Sequence, residues 1–136
     1  MSANPLADAP PRDARHRPTI LVAEDDSFLR NFYARLLSHF GFTVKVVEDG
    51  LAAWETIARG DQRFDLLITD NEMPRLNGRD LVYCLKAACV PLPVIMVSGS
   101  IAYGEDLSEH GIHTALPKPC SIEDLRQAIF GALPLR

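Results

Sequence analysis

The sequence predicts an α/β fold in which five parallel strands form one sheet and five helices cover both of its faces. Short apolar runs alternate with longer segments of helical spacing from Thr19 onward, and parallel strands need a crossover, usually a helix, between them. The right-handed sense of such crossovers fixes the side on which each helix lies. A chain of 136 residues is long enough for one core of this kind.

The strands are predicted from the apolar runs. We expect them at residues 20–23, 42–47, 66–69, 94–97 and 114–116. The first, third and fourth runs are almost continuously apolar, which is typical of central strands buried on both faces. The second run alternates apolar and polar residues, as an edge strand with one wetter face does, and the short fifth run suits the other edge. The predicted strand order is therefore 2-1-3-4-5.

The helices are predicted from apolar residues at helical spacing. We expect them at residues 28–40, 51–59, 78–88, 103–110 and 121–132, the fourth with the weakest pattern. Seven apolar residues of the first helix fit one face: Phe28, Leu29, Phe32, Tyr33, Leu36, Leu37 and Phe40. Asp26 or Ser27 can cap its start, and we interpret Asp26 as a cap rather than a metal ligand. Trp54 and Tyr83 have apolar neighbours at helical spacing and are expected in the core.

The ends of the chain define the expected domain organisation. Residues 1–17 contain three of the ten prolines and few apolar residues, so they cannot offset the entropy lost on ordering and are expected to form a flexible tail. Residues 18–136 are expected to form one domain. No linker follows the last helix, so we expect any output to lie on another polypeptide.

Composition narrows the expected partners and compartment. The net charge of −4 gives no electrostatic reason to expect nucleic acid or an anionic membrane as a partner. The three cysteines, Cys84, Cys89 and Cys120, lack the spacing of a zinc site or a disulfide framework, which favours reduced thiols. No apolar run approaches the length of a membrane span, and the first residues lack the apolar core of a signal peptide. The sequence therefore predicts a cytoplasmic protein.

Polar side chains follow four of the predicted strands. In an open α/β sheet, ligands bind beyond the carboxyl ends of the strands. The residues at those ends are Glu24, Asp25 and Asp26 after the first strand, Asp70 after the third, Ser98 after the fourth and Lys118 after the fifth. The fold should gather these distant positions on one rim.

The chemistry of this rim indicates magnesium and phosphoryl transfer. Carboxylates at close range repel one another unless a cation lies among them, and an all-oxygen site of this kind suits Mg²⁺. Glu24, Asp25 and Asp70 contribute −3, which Mg²⁺ and Lys118 together would balance. Such a site can accept a phosphoryl group whose oxygens contact the metal, the ammonium and the Ser98 hydroxyl. Asp70 would then be the nucleophile that forms an acyl phosphate.

Four segments carry a resemblance to a known family. They are ILVAEDD at 20–26, DLLITDNEMPRLNG at 65–78, VIMVSGS at 94–100 and LPKP at 116–119. In this order and spacing they resemble the signatures of the receiver domains of response regulators in bacterial two-component and phosphorelay signalling. The resemblance covers residues 18–133 and implies the flavodoxin-like receiver fold.

The resemblance also implies a role for each matched residue. Asp70 matches the acceptor of a phosphoryl group from a phosphohistidine on a sensor histidine kinase or a phosphotransfer protein. Asp25 and Asp70 match carboxylate ligands of Mg²⁺, Glu24 an acidic partner acting through water, and Glu72 a ligand through its backbone carbonyl. Ser98 matches the hydroxyl that moves toward the phosphoryl group, and Lys118 the lysine that pairs with it. The bond between Lys118 and Pro119 is expected to be cis.

Two positions depart from the family pattern. Ala115 stands where the family commonly has Tyr or Phe, a ring that moves inward on activation, so we expect the signal to leave through residues 99–110 instead. Glu72 stands where Met, Asn or Arg is frequent, and its carboxylate could either repel or position the water that attacks the acyl phosphate.

Three functions compete on this evidence. The leading one is a single-domain receiver, a phosphoacceptor that signals to a downstream protein and catalyses only its own phosphorylation and dephosphorylation. A degenerate receiver that only docks is the second, although such proteins usually lose an acid or the lysine. The third is a Mg²⁺-dependent phosphatase with an aspartyl-phosphate intermediate. Enzymes of that class have Asp as a general acid two residues after the nucleophile, where this chain has Glu72.

Overall fold

The computed structural model describes residues 17–102 and 105–133. Five parallel strands form one sheet in the predicted order 2-1-3-4-5. The strands are β1 (Thr19–Ala23), β2 (Thr43–Val47), β3 (Leu66–Thr69), β4 (Val94–Ser98) and β5 (Thr114–Pro117). The α-helices in the described part of the chain are α1 (Ser27–His39), α2 (Gly50–Arg59), α3 (Gly78–Ala87) and α4 (Ile122–Ala132). The predicted tail lies almost wholly outside the described residues, which begin at Arg17.

Burial along the strands follows their place in the sheet. Every residue of β3 and β4 is buried, and β1 is buried apart from its first residue, because helices cover both faces of the central strands. In β2, Thr43 and Lys45 are exposed while the valines between and after them are partly covered. This alternation confirms the edge position predicted for that strand.

Two apolar layers hold the helices to the sheet, one on each face. On one face, Ile20, Ile68 and Ile95 pack with residues of α1 and α4. On the other, Leu21, Leu67 and Met96 pack with residues of α2 and α3. Successive strand residues point to opposite faces, so each central strand contributes to both layers.

The helix predicted at residues 103–110 is wrong. Tyr103 and Gly104 lie outside the described residues, and of the remainder only Ser108–His110 is helical, as one 3₁₀ turn. Side chains satisfy the backbone locally: Asp106 accepts the Ser108 N–H at 2.9 Å, and Gly111 ends the turn with φ at +87°. Such local bonds compete with helix formation, so residues 17–102 and 105–133 contain four α-helices where five were predicted.

One prediction of burial is also wrong. Tyr83, expected in the core, is 72% exposed on α3. On α1, Tyr33 and Leu37 are buried, but Phe28 is 76% exposed and Phe32 is 40% exposed. A helix against one sheet face buries only the stripe that touches it, and seven apolar residues cover a wider arc than that stripe. Trp54, in contrast, is partly buried and packs against the core as expected.

Candidate functional site

The candidate site lies where the sheet register aligns the ends of β1 and β3. Ala23 pairs with Thr69 in the parallel ladder, and the Asp70 N–H extends it by donating to the Ala23 carbonyl oxygen at 3.1 Å. On the side of β2, the Glu24 N–H extends the pairing of β1 with β2 by donating to the Val47 carbonyl oxygen at 3.1 Å. The acidic residues that follow these strands therefore begin from fixed backbone positions.

Asp70 is buried, 7% exposed, and both of its carboxylate oxygens have partners. Oδ1 accepts the backbone N–H groups of Asn71 at 2.6 Å and Glu72 at 3.2 Å. Oδ2 accepts a hydrogen bond from Lys118 Nζ at 2.7 Å. Charge-assisted bonds of this kind fix the orientation of a carboxylate, so Asp70 is held toward the rim of the sheet.

Lys118 joins the ends of three strands. Its Nζ also donates to Glu24 Oε1 at 2.9 Å, and its backbone N–H donates to the Ser98 carbonyl oxygen at 3.0 Å. Burial disfavours the charged ammonium, but the bonds to Asp70 and Glu24 outweigh it and raise the pKa of Lys118 above its ordinary value. The lysine therefore stays charged. The peptide bond between Lys118 and Pro119 is cis, as the resemblance implied.

Three carboxylates approach closely enough to share one cation. Glu24, Asp25 and Asp70 each offer an oxygen, and these atoms lie within 4.8 Å of one another. Burial is the largest influence on Glu24 and raises the pKa of that carboxyl, although Lys118 opposes the effect. The three carboxylates with Lys118 sum to −2, so a divalent cation would neutralise the group. This all-oxygen donor set fits Mg²⁺.

The Glu72 side chain contacts residues at the end of β4 and just beyond it. Its Oε1 accepts the Ser98 hydroxyl at 2.5 Å, and its Oε2 accepts the Ser100 hydroxyl at 2.5 Å and the Asn71 amide at 3.1 Å. Desolvation disfavours the charged carboxylate, but the hydrogen bonds, led by that from Ser100, outweigh it and lower the pKa of Glu72 to about 2. Glu72 is therefore ionised at neutral pH.

The loop after β3 is packed tightly against the site. A β-carbon at Gly78 would collide with the carbonyl oxygen of Asp70, so only glycine allows this approach. The Gly78 N–H donates to the Asn71 carbonyl oxygen at 3.0 Å, and the Arg79 N–H donates to Asn71 Oδ1 at 3.0 Å. The start of α3 therefore fixes the position of Asn71, the residue that follows Asp70.

The structure brings together every residue that was selected from the strand ends except Asp26. Asp26 caps α1 by accepting the N–H groups of Phe28 at 2.8 Å and Leu29 at 3.3 Å, as predicted, and lies outside the acidic group. Asn71 and Ser100 contact the site but were not predicted. Ser100 follows β4 by two residues, and its hydroxyl so close to the strand end is the sequence signal that could have identified it.

The two departures from the family pattern lie in different parts of the fold: Glu72 is in the loop after β3, and Ala115 is on a strand. Ala115 is in β5, paired with Met96 of β4, and packs against the apolar layer on the side of α2 and α3. Ile101 and Leu107, in the segment after β4, are buried in the same layer. The exit of the signal through residues 99–110 stays a prediction.

Comparison with known proteins gives one consistent result. Residues 20–130 match the family model described as the response regulator receiver domain. The 3′,5′-cyclic-nucleotide phosphodiesterase regA of Dictyostelium discoideum is 37% identical over 115 residues, which are 81% of this chain and 14% of that protein. The DNA-binding transcriptional regulator NtrC of Rhizobium meliloti is 37% identical over 117 residues, 85% of this chain and 24% of that protein.

A solved structure agrees with these sequence matches. The crystal structure of a response regulator receiver domain protein from Clostridium thermocellum superposes with a TM-score of 0.73 at 28% identity, covering 85% of this chain and 93% of that chain. The chain spans less than a quarter of the length of the two curated relatives. One of those is a DNA-binding regulator, so the absence of a nucleic-acid partner stays a prediction. None of the helices in the described residues has the length and apolar character needed to cross a membrane.

Proposed function

The chain belongs to the family of response regulator receiver domains, and we propose that it receives a phosphoryl group on Asp70 and passes on the signal by a change of conformation. Receiver domains are signalling domains, so turnover of a metabolic substrate is not expected. The proposed unit is residues 18–136. The proposed donor is a phosphohistidine on a sensor histidine kinase or a phosphotransfer protein, and the proposed recipient of the signal is another protein.

One observation carries the proposal: Lys118 Nζ contacts both Asp70 and Glu24 at the edge of a three-carboxylate group. A buried carboxylate nucleophile needs a nearby cation that can stabilise the negative charge of the phosphoryl oxygens during transfer. Lys118 lies 2.7 Å from Asp70 Oδ2 and is only partly buried, so an incoming group can reach it. All residues of the proposed set lie at the same edge of the sheet.

The transfer step is a displacement at phosphorus. An Asp70 carboxylate oxygen attacks the phosphorus, a P–O bond forms, and the P–N bond to the donor imidazole breaks. The imidazole nitrogen leaves with the bonding electron pair and takes up a proton from solvent. Lys118 stays protonated throughout and stabilises the charge on the phosphoryl oxygens, while Ser98 donates its hydroxyl hydrogen to one of them. Water later hydrolyses the acyl phosphate, which releases inorganic phosphate and restores the carboxylate.

Magnesium would be held by Glu24, Asp25 and Asp70 together with the backbone carbonyl of Glu72. When bound, it would neutralise charge on the transferring oxygens and align them with the nucleophile. Glu24 is buried and hydrogen-bonded to the Asp26 N–H at 3.1 Å, which supports its proposed contribution through water. Asp25 is exposed and can accept a cation directly.

The test is phosphate incorporation by the full chain. Acetyl phosphate with Mg²⁺, followed by transfer from a panel of the host's phosphorylated sensor kinases, should label the wild-type protein at one position. Asp70→Asn should lose that label because an amide cannot form the acyl phosphate. Asp61→Asn is the matched control and should be labelled like the wild type, because Asp61 is an exposed carboxylate in an ion pair with Arg59 at 3.7 Å.

Two results would contradict the proposal. Equal labelling of Asp70→Asn would remove Asp70 from its role. A folded wild-type protein that takes up no phosphate from either source would favour a receiver that only docks. A preferred kinase in the panel would identify the pathway.

A further inference from the structure

The hydroxyl group proposed to contact the phosphoryl group already has a partner. Ser98 Oγ donates to Glu72 Oε1 at 2.5 Å, and a serine hydroxyl has a single hydrogen to donate. Ser98 is 0% exposed, so solvent does not compete for that hydrogen. Its oxygen lone pairs face the Ser100 N–H at 3.2 Å. Ser98 cannot donate to Glu72 and to a phosphoryl oxygen at the same time.

We propose that the Glu72 carboxylate competes with the phosphoryl group on Asp70 for the Ser98 hydroxyl and thereby opposes the phosphorylated state. The inference rests on the proposed function of Asp70 and adds a restraint to it. Phosphorylation has to replace one charge-assisted bond, from Ser98 to Glu72, with another, from Ser98 to the phosphoryl oxygen. The net stabilisation from Ser98 is therefore small while Glu72 is present.

Charge acts in the same direction as the hydrogen bond. The Glu72 N–H donates to Asp70 Oδ1 at 3.2 Å, so the two residues are adjacent at the site. A phosphoryl dianion on Asp70 would be repelled by the Glu72 carboxylate. Glu72 is exposed, so solvent and salt weaken this repulsion, whereas the bond to the buried Ser98 is screened less. Hydroxyl competition should therefore be the larger effect.

The competition also links the site to a second loop. Glu72 follows β3, whereas Ser98 ends β4 and Ser100 lies just beyond it, so the carboxylate joins two loops through both hydroxyls. When the phosphoryl group takes Ser98, the bond between the loops is broken at its buried end. The backbone of residues 98–100 can then shift, and Ile101, buried in the apolar layer, follows directly. This gives a route for the signal that needs no aromatic ring at Ala115.

The first experiment measures the affinity of the full chain for beryllofluoride, a phosphoryl mimic, in the presence of Mg²⁺. Glu72→Gln keeps the size of the side chain and removes its charge, so Ser98 is held less strongly. We expect affinity for beryllofluoride to rise about tenfold, the difference between a charged and a neutral hydrogen bond. Glu55→Gln, an exposed glutamate on α2, is the matched control and should bind like the wild type.

A double-mutant cycle separates hydroxyl competition from simple charge repulsion. In a Ser98→Ala background there is no hydroxyl to release, so Glu72→Gln should improve affinity by less than about threefold. An equal improvement in both backgrounds would overturn the proposal and leave repulsion as the cause. No improvement with Ser98 present would overturn it as well.

Amide chemical shifts provide a second measurement, which should not change in the expected direction if Glu72 has only a structural role. In the ligand-free Glu72→Gln variant, the amides of Gly99 and Ser100 should shift part of the way toward their positions in the beryllofluoride-bound wild type. Shifts in an unrelated direction would contradict the proposal. If the wild type binds beryllofluoride but the variant gains nothing, only the competition is lost. If the folded wild type binds no beryllofluoride, the proposed function fails first.

Discussion

Asp49 and Arg75 connect the start of α2 to the loop that follows β3. Arg75 Nε lies 2.9 Å from Asp49 Oδ2, and Asp49 Oδ1 caps α2 by accepting the Ala52 N–H at 2.8 Å. Arg75 has φ at +71°, a region that residues with a β-carbon seldom occupy. The ion pair ties the Arg75 side chain to the start of α2, and the same loop carries the residues after Asp70.

This pair gives a pH dependence of known sign. Burial alone would raise the pKa of Asp49, but the bonds from Arg75 and from backbone N–H groups outweigh it and lower the pKa below its ordinary value of 3.8. A lowered pKa stabilises the folded state above pH 3.8, and this contribution is lost as the pH falls through the lowered pKa. Asp49→Asn keeps the cap and removes the charge.

We therefore expect Asp49→Asn to reduce the free energy of unfolding in urea at pH 7 and to matter less at pH 3. Arg75→Gln should reproduce the loss at pH 7, because it removes the other half of the pair. Asp61→Asn, which removes an exposed carboxylate, is the control for the loss of stability that the whole protein undergoes at low pH. A deficit in Asp49→Asn that is as large at pH 3 as at pH 7 would show that the carboxylate charge is not the cause.

At the scale of elements, the loop from β3 to α3 has little freedom. Gly78 begins α3 under the carbonyl oxygen of Asp70, where a β-carbon would also approach Met96 Cε at 2.9 Å. Asn77 caps the helix by accepting the Asp80 N–H at 2.8 Å. The β3 to α3 connection is therefore fixed at both ends, and the position of Asp70 depends on where the helix begins.

Gly78→Ala should consequently destabilise the protein by about 1–3 kcal/mol, the usual range for a group forced into a packed region. Gly131→Ala is the matched control, since a β-carbon at Gly131 in α4 meets nothing within 4 Å. That change should stabilise by about 0.5–1 kcal/mol through helix propensity. Urea unfolding of the two variants measures both, and equal effects of the two substitutions would contradict the close approach at Gly78.

Sequence patterns predicted elements well where one periodicity dominated. The fully buried β3 was predicted with its observed bounds, and the alternation of β2 predicted an edge. The fourth helix was wrong because Asp106 and Gly111 favour local turns over a weak helical pattern. Tyr83 was placed in the core from its apolar neighbours, but helical spacing does not say how wide a stripe the sheet will cover.

At the scale of the whole molecule, the proposed metal site should couple cation binding to folding. The three carboxylates follow β1 and β3 and meet only when the sheet is formed, so Mg²⁺ should bind the folded state in preference to the unfolded one. Like charges that repel in the folded protein are also neutralised by the cation. Binding should therefore appear as added stability.

We expect Mg²⁺ at one hundred times its dissociation constant to raise the free energy of unfolding by about 2.7 kcal/mol. Asp25→Asn should remove most of this increment because it takes away the exposed ligand, whereas Asp61→Asn should retain it. Urea unfolding with Mg²⁺ and with a chelator measures the difference. An increment that survives in Asp25→Asn would exclude Asp25 from the site.

The sequence by itself determined the strand order and the group of residues at the strand ends. Alternation and burial reflect local side-chain chemistry, and parallel strands place their carboxyl ends on one rim whatever the details of packing. Sequence pattern alone is therefore enough to place Asp25, Asp70, Ser98 and Lys118 at one site.

Only the tertiary structure decided which way the side chains at that rim turn. Glu72 lies only two residues after Asp70 in the sequence, yet its carboxylate bonds to Ser98 at the end of β4 and to Ser100 just beyond it. Glu72 is separated from Ser98 by 26 positions and from Ser100 by 28 positions. No local sequence pattern predicts contacts over such separations. These contacts arise because two loops leave neighbouring strands side by side, which the sheet fixes and the sequence pattern does not.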